Sequence, residues 1–176
     1  MAIPFRNQDD LDAPGSAAFL KIGSSGSASF TGGLFQINAR GEPLEFTRGT
    51  VEVPSSDLWR PQDAKRRSIC DLIAALFDAA VRSPVVLVCL AAEVAEPIFR
   101  DHIHVRIPTC RLAAPGDGPV EVTVVGDEGW WQIYWVGTEP GTVSPARRMV
   151  ATLQARNLLA EPFERAAEAL RAPSRA

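Results

Sequence analysis

The sequence predicts an α/β or α+β domain built on a mixed β-sheet. Three observations support this prediction: an alternating apolar pattern broken by turn residues in the first third, a helical apolar repeat after it, and a uniformly apolar run at 85–90. Such a run is typical of a central strand that is covered on both faces. The predicted order is β-β-β-α-β-α-β, followed by a β-hairpin and two C-terminal helices.

The first three elements are predicted strands. Residues 18–22 form a short apolar strand that ends in a Gly- and Ser-rich turn. Apolar residues then alternate with polar ones at 34–38 and again at 44–46, on either side of the turn 39–42. This pattern predicts a β-hairpin.

The strongest predicted helix begins at Pro61, a residue that suits the first helical position, and ends before Pro84. Its apolar residues recur at helical spacing: Ile69, Leu72, Ile73, Leu76, Phe77 and Ala80. The apolar strand 85–90 follows. Residues 91–101 are then predicted as a short crossover helix, and 104–107 as the next, parallel strand.

The last third contains a predicted hairpin and two helices. Residues 120–125 alternate as a half-buried strand does, and 130–135 form its aromatic partner. Ser144 and Pro145 are a suitable N-cap and first residue for one helix, and Pro162 starts the other.

The expected organisation is a single domain. Residues 1–16 are expected to be a flexible N-terminal segment, 17–113 an α/β core, and 119–171 a hairpin with helices packed on that core. The 176 residues are 46% apolar, which is enough for one buried core.

Composition restricts the classes of partner. The net charge of -3 and the pI near 5.4 give no general attraction to phosphate backbones, so nucleic acid could bind only through a local basic patch. Three widely spaced cysteines, Cys70, Cys89 and Cys110, are interpreted as reduced core thiols, which favours a cytoplasmic location. No apolar segment is long enough for a membrane span, and no membrane partner is expected.

The order of the first elements matches that of ribonuclease H-like folds. That resemblance implies nucleases that hold two metal ions with acidic residues, one of them usually on the first strand, because in-line phosphoryl displacement needs paired cations. Residues 19–22 of the first strand carry no acid. A standard active nuclease of this kind is therefore disfavoured.

The tryptophan-rich strand is the clearest candidate for recognition. Alternation places Trp131, Ile133 and Trp135 on one face, and Trp130, Gln132 and Tyr134 on the other. Core packing explains such a strand, as does a protein interface, where Trp and Tyr are enriched as anchors. The predicted interface residues are Trp130, Trp131, Tyr134 and Trp135.

Lys65, Arg66 and Arg67 form a basic cluster near the start of the first helix. A solvated helix face explains the cluster, and phosphate contact is the alternative. Three positive charges are unfavourable near a helix N-terminus, which supports an acidic partner.

One further combination of residues is a candidate chemical site. His102 and His104 have a spacing that metal sites use, and Cys110 is close in sequence. Two histidines alone make an incomplete zinc site, so polar residues at a strand entrance are the simpler interpretation. No catalytic residue, metal site or cofactor is therefore predicted.

A second resemblance carries no chemistry. The segment 32–46, GGLFQINARGEPLEF, resembles the opening hairpin of a group of bacterial proteins without an assigned activity, and the segment 161–165, EPFER, is similar to theirs. This resemblance implies no activity.

Three functional hypotheses follow. The leading hypothesis is a non-catalytic, protein-binding subunit of a cytoplasmic bacterial assembly. The partner in this hypothesis is another protein or a second copy of the same chain. The alternative is a nucleic-acid-associated, ribonuclease H-like module that lacks the full catalytic residues. The third is a small-ligand or metal enzyme that uses His102, His104 and Cys110.

Overall fold

The computed structural model describes residues 15–24, 29–54, 59–103, 105–113, 123–124 and 131–172. Its strands are β1 Ser16–Ser24, β2 Ser29–Asn38, β3 Pro43–Glu52, β4 Val86–Leu90, β5 Thr109–Ala113, β6 Thr123–Val124 and β7 Gln132–Trp135. Its helices are α1 Pro61–Ala79, α2 Pro145–Ala155 and α3 Glu161–Arg171. A single π-helical turn, Ile98–His102, precedes β5. Residues 1–14 of the predicted N-terminal segment lie outside the described residues.

The described strands form one mixed sheet in the order β3-β2-β1-β4-β5-β7-β6. Strand β1 is antiparallel to β2 and parallel to β4, and β4 is parallel to β5. Strand β7 returns antiparallel beside β5 and pairs with β6. The predicted α/β fold class with a mixed sheet is confirmed.

Helices cover both faces of the central strand. Ala18 and Leu20 of β1 pack in the cluster that includes the apolar side of α1. Ala17 and Phe19 point to the opposite face, where the cluster includes residues of α2 and α3. The ring of Phe19 meets that of Phe163 edge-on, with centroids 5.2 Å apart. This double coverage explains why β1 and β4 are apolar without alternation.

Glycines bring α1 close to the β2–β3 hairpin. Gly32 pairs with Gly49 across the two strands. A β-carbon on Gly32 would stand 2.9 Å from a methyl carbon of Leu72, and one on Gly49 would be 3.3 Å from the same side chain. The missing side chains therefore make room for the leucines of α1.

The hairpin turn is closed by Asn38, whose side-chain oxygen accepts the backbone N–H groups of Arg40 and Glu42 at 2.9 and 3.0 Å. Gly41 has a φ of +84°, a conformation that suits glycine. Arg165 of α3 donates to the Gly41 carbonyl at 2.9 Å and lies over the ring of Phe35. The turn is thus bound to the last helix of the described chain.

A buried polar group fixes the loop that enters β4. Gln36 is fully buried in β2, accepts a hydrogen bond from the Ser16 hydroxyl, and donates to the carbonyl of Arg82 at 3.0 Å. The carboxylate of Glu45 accepts the N–H groups of Val81 and Arg82. The loop backbone is therefore satisfied by strands β2 and β3.

The predicted strand at 104–107 is wrong. The strand that pairs with β4 is Thr109–Ala113, and Cys110 lies opposite Val88 within it. The alternation of Ile103, Val105 and Ile107 has another cause: these side chains pack against the α1 cluster from an extended segment without strand pairing. His104 lies outside the described residues, and the predicted helix at 91–101 is a turn followed by the π-helical turn.

The remaining predicted helices and strands are present in the parts of the chain that the structure describes. Ser144 caps α2 by accepting the Arg147 N–H at 3.2 Å, and Pro145 follows it at the first helical position. In the predicted hairpin, Thr123 and Val124 pair with Ile133 and Gln132, and its turn lies outside the described part of the chain. None of the described helices combines the length and apolarity needed to cross a membrane.

The packing at Gly33 gives a stability prediction. A β-carbon on Gly33 would lie 2.7 Å from a ring carbon of Phe46, whose ring packs edge-on against Phe35. We expect Gly33→Ala to lower the free energy of unfolding by about 1–3 kcal/mol in urea denaturation, because the ring must move in a packed layer. The control is Gly23→Ala in β1, where the nearest atom is 3.9 Å away. Equal stability of the two variants would contradict this account.

Candidate functional site

The carboxyl ends of β1, β4 and β5 meet at one edge of the sheet, because these strands are parallel. In open α/β sheets this edge is where ligands bind. Residues 91–94 form a turn directly after β4, in which the N–H groups of Glu93 and Val94 return to the carbonyl of Leu90. The turn places a carboxylate beside the end of β1.

Lys21 and Glu93 form an ion pair at this edge. The Lys21 ammonium contacts one carboxylate oxygen of Glu93, and the backbone N–H of Ile22 donates to the other at 2.9 Å. Both side chains are largely buried, with 23% and 16% of their surface exposed. The Glu93 carboxylate is thus bound on both oxygens by groups of β1.

Arg111 of β5 holds the turn that carries Glu93. Its guanidinium donates to the carbonyls of Val94 and Ala91, each at 3.3 Å, and its nearest distance to the Glu96 carboxylate is 3.9 Å. The Arg111 side chain is only 11% exposed. A charge buried this far is stable because carbonyl and carboxylate oxygens surround it.

The residues at this edge do not fit a divalent cation. A metal ion needs free carboxylate oxygens, whereas those of Glu93 already bind an ammonium and a backbone N–H. Among the described residues, no group of three or more His, Cys, Asp and Glu side chains is placed to hold a metal. The described residues of this edge therefore offer no ligand set for a divalent cation.

The basic cluster Lys65, Arg66 and Arg67 lies on the exposed side of α1, and two of its members have acidic partners on the same helix. Arg66 is 3.5 Å from Asp63, and Arg67 is 2.9 Å from Asp71. The hydrogen bond to Asp71 raises the pKa of Arg67. Lys65 is exposed, and the described part of the chain places no acidic partner on it.

The tryptophan strand is partly in the core. Trp131 and Trp135 are half-buried and pack against the cluster that α2 and α3 cover. Tyr134 is half-buried on the other face, where its hydroxyl donates to Gln132 at 3.2 Å. Trp130 lies outside the described residues. Core contact, the alternative weighed for this strand, thus accounts for Trp131 and Trp135.

The His102–Cys110 combination is not brought together. Cys110 is fully buried in the cluster beneath α2, and burial raises the pKa of its thiol far above the usual range. His102 is exposed at the end of the π-helical turn. His104, the third member, lies outside the described residues, so this hypothesis has no assembled site among those that are described.

Lys21, Glu93 and Arg111 were not singled out by the sequence analysis. Lys21 and Glu93 are 72 positions apart, and no periodicity links them. One signal was present: Lys21 is a charged residue inside an otherwise apolar strand that the prediction placed in the sheet. A charge in such a position requires a partner.

Structural comparison identifies the fold. The chain is similar to human endonuclease V, with a TM-score of 0.51 and 12% identity. The match covers 89% of this chain and 82% of the human protein's chain. Endonuclease V from Bacillus subtilis gives a TM-score of 0.50 with 12% identity, covering 88% and 78% of the two chains. A variant of the Ciona intestinalis enzyme, in complex with a 23mer DNA that contains an inosine followed by a ribo-adenosine, gives 0.50 with 10% identity over 89% and 83%.

These likenesses show a ribonuclease H-like fold. No protein-family model matches the chain, and no curated protein has a matching sequence.

The leading functional hypothesis is therefore corrected. A protein-binding subunit of an assembly was inferred from aromatic clustering, but the similar structures are nucleases, and one of them contains DNA. The alternative, a nucleic-acid-associated module, fits these findings better. The comparisons show no protein partner and no homo-oligomer.

The ion pair can be tested by a double-mutant cycle. Lys21→Met leaves the Glu93 carboxylate without its cation in a largely buried place, and we expect a loss of about 1–3 kcal/mol in the free energy of unfolding. Glu93→Gln should lower the free energy of unfolding less in the Lys21→Met variant than in the wild type, because the two groups interact. The control is Arg67→Met, which removes an exposed pair on α1 and should change stability little. Additive losses for Lys21 and Glu93 would show that the pair is not coupled.

The buried thiols give a second prediction. Burial raises the pKa of Cys89 to about 12, although the positive charge of Arg111 opposes this effect. Burial also raises the pKa of Cys110, and by a larger amount. Since only the thiolate reacts and a raised pKa lowers its fraction, iodoacetamide at pH 8 should label half-buried Cys70 first. Mass spectrometry should find all three cysteines labelled in urea. Preferential native labelling of Cys110 would contradict this placement.

Proposed function

We propose that this chain is a nucleic-acid-binding module with a ribonuclease H-like fold that lacks the full set of catalytic carboxylates. The observation that carries the proposal is the Lys21–Glu93 pair in a fold shared with endonuclease V. At the edge where such nucleases hold metal ions, Lys21 of the first strand binds the Glu93 carboxylate.

The placement of charge supports binding at the carboxyl edge. Strand β3 ends at Glu52, which pairs with Ser29 at the start of β2, next to the end of β1. The Ser68 hydroxyl of α1 lies 3.5 Å from the Glu52 carbonyl, so the first turns of α1 stand over this edge. Lys65 belongs to those turns. Lys65 therefore places a positive charge at the same edge as the Lys21–Glu93 pair, on an otherwise acidic molecule.

The two lysines have different roles in this proposal. Lys21 is bound to Glu93, so it fixes the edge and contributes little net charge. Lys65 is exposed and available for a phosphate. Phosphate contacts of this kind give affinity without reading sequence.

The proposal predicts salt-dependent binding. The affinity of the full chain for a labelled oligonucleotide should fall as NaCl rises, because each phosphate contact releases counterions. Lys65→Gln should reduce the slope of log affinity against log salt by about 1. The matched control is Arg106→Gln, an exposed cation beside Ser83 and Pro84 near the opposite edge. Fluorescence anisotropy measures the affinity and the salt slope of each variant. An absence of binding at low salt would refute the proposal.

Cleavage provides a separate test. With Mg²⁺ or Mn²⁺ present, we expect bound single- and double-stranded substrates to stay intact, since Glu93 is occupied by Lys21. The assay is gel electrophoresis of end-labelled DNA and RNA, with and without chelator. Metal-dependent cleavage that Glu93→Gln abolishes would overturn the non-catalytic part of the proposal and leave the binding part standing.

A further inference from the structure

Trp59 is exposed just before α1. Its side chain keeps 46% of its surface in solvent, and it is the one aromatic residue among the large exposed apolar side chains of the described chain. The other two are Val81 and Val143. By contrast, Trp131 and Trp135 pack against the core.

Two exposed cations follow Trp59 along the chain. Arg60 is the next residue, and its side chain makes no capping hydrogen bond to α1. Lys65 lies one helical turn after Pro61 and therefore on the same side of α1 as Pro61, the residue at which the helix begins. Both are exposed, and neither has an acidic partner within the part of the chain that the structure describes. The nearby carboxylate of Asp63 faces Arg66 instead.

We infer that Trp59, with Arg60 and Lys65, is a platform for single-stranded nucleic acid, on which an unpaired base stacks while the two cations contact flanking phosphates. The inference rests on the proposed function and specifies its substrate class. An indole face accepts any base, whereas a base within a duplex is already stacked on its neighbours. Cations beside an exposed aromatic ring are the combination that single-strand binding requires.

The position of Trp59 agrees with this role. It precedes the helical turns that stand over the ends of β1 and β3, and it therefore lies at the same end of the sheet as Lys21 and Glu93. A platform at this point would select unpaired strands before they reach the edge of the sheet.

The test compares a single-stranded 20mer with its duplex by fluorescence anisotropy at low salt. We expect the wild type to prefer the single strand, and Trp59→Ala to weaken single-strand binding at least about fivefold with little effect on the duplex. Trp59→Phe should retain part of the affinity, because a smaller ring still stacks. The matched control is Val143→Ala, which removes an exposed apolar side chain elsewhere.

A second measurement reads the stacking directly. Binding of the single strand should quench tryptophan fluorescence, and Trp59→Phe should remove most of that quenching although three tryptophans remain. If Trp59→Ala binds single strands as the wild type does, the inference is overturned and the proposed function stands. If the wild type binds no nucleic acid, both fail.

Light scattering tests whether the exposed Trp59 is instead a contact between copies of this chain. If the wild type self-associates, and Trp59→Ala makes it monomeric without changing its affinity for the single strand, Trp59 is a contact between copies of this chain. That result would overturn the inference.

Discussion

The structure depends on the double coverage of strand β1. Helix α1 closes one face of this strand and helices α2 and α3 close the other, so residues 17–20 have no access to water. An unpaired charge in that stretch would be prohibitively unfavourable. Polar chemistry is consequently confined to the ends of the central strands. Lys21 is the first residue of β1 at which a charge can be accommodated, and it is accommodated because Glu93 is beside it.

Much of the fold could be predicted because its signals are local. Pro61, Pro145 and Pro162 mark the beginnings of the three helices, and the alternation around residues 39–42 marks the hairpin. Prediction failed between β4 and β5, where an extended apolar segment without a pairing partner has the same alternation as a strand. The true strand contains Arg111, whose burial is made possible by two backbone carbonyls that no sequence pattern reveals.

The site was less predictable than the fold because its members come from separate elements. The ribonuclease H-like order of elements correctly directed attention to the first strand and to its lack of an acid. It could not show that Lys21 of that strand pairs with Glu93, since this requires the position of a turn far along the chain. The aromatic cluster, in contrast, attracted attention through its composition, and two of its tryptophans contact the core. Composition identifies unusual residues, whereas function depends on which of them remain accessible.

The contact between the last helix and the first strands has a consequence for synthesis on the ribosome. Phe163 and Arg165 complete the packing of Phe19 and Phe35 and bind the turn at Gly41, more than a hundred residues earlier. While the chain is being translated, the apolar face of β1 and β2 is incompletely covered until these residues emerge. Contacts of such long range slow folding and prolong the exposure of apolar surface. The nascent chain should therefore reach its native state only after α3 has left the exit tunnel.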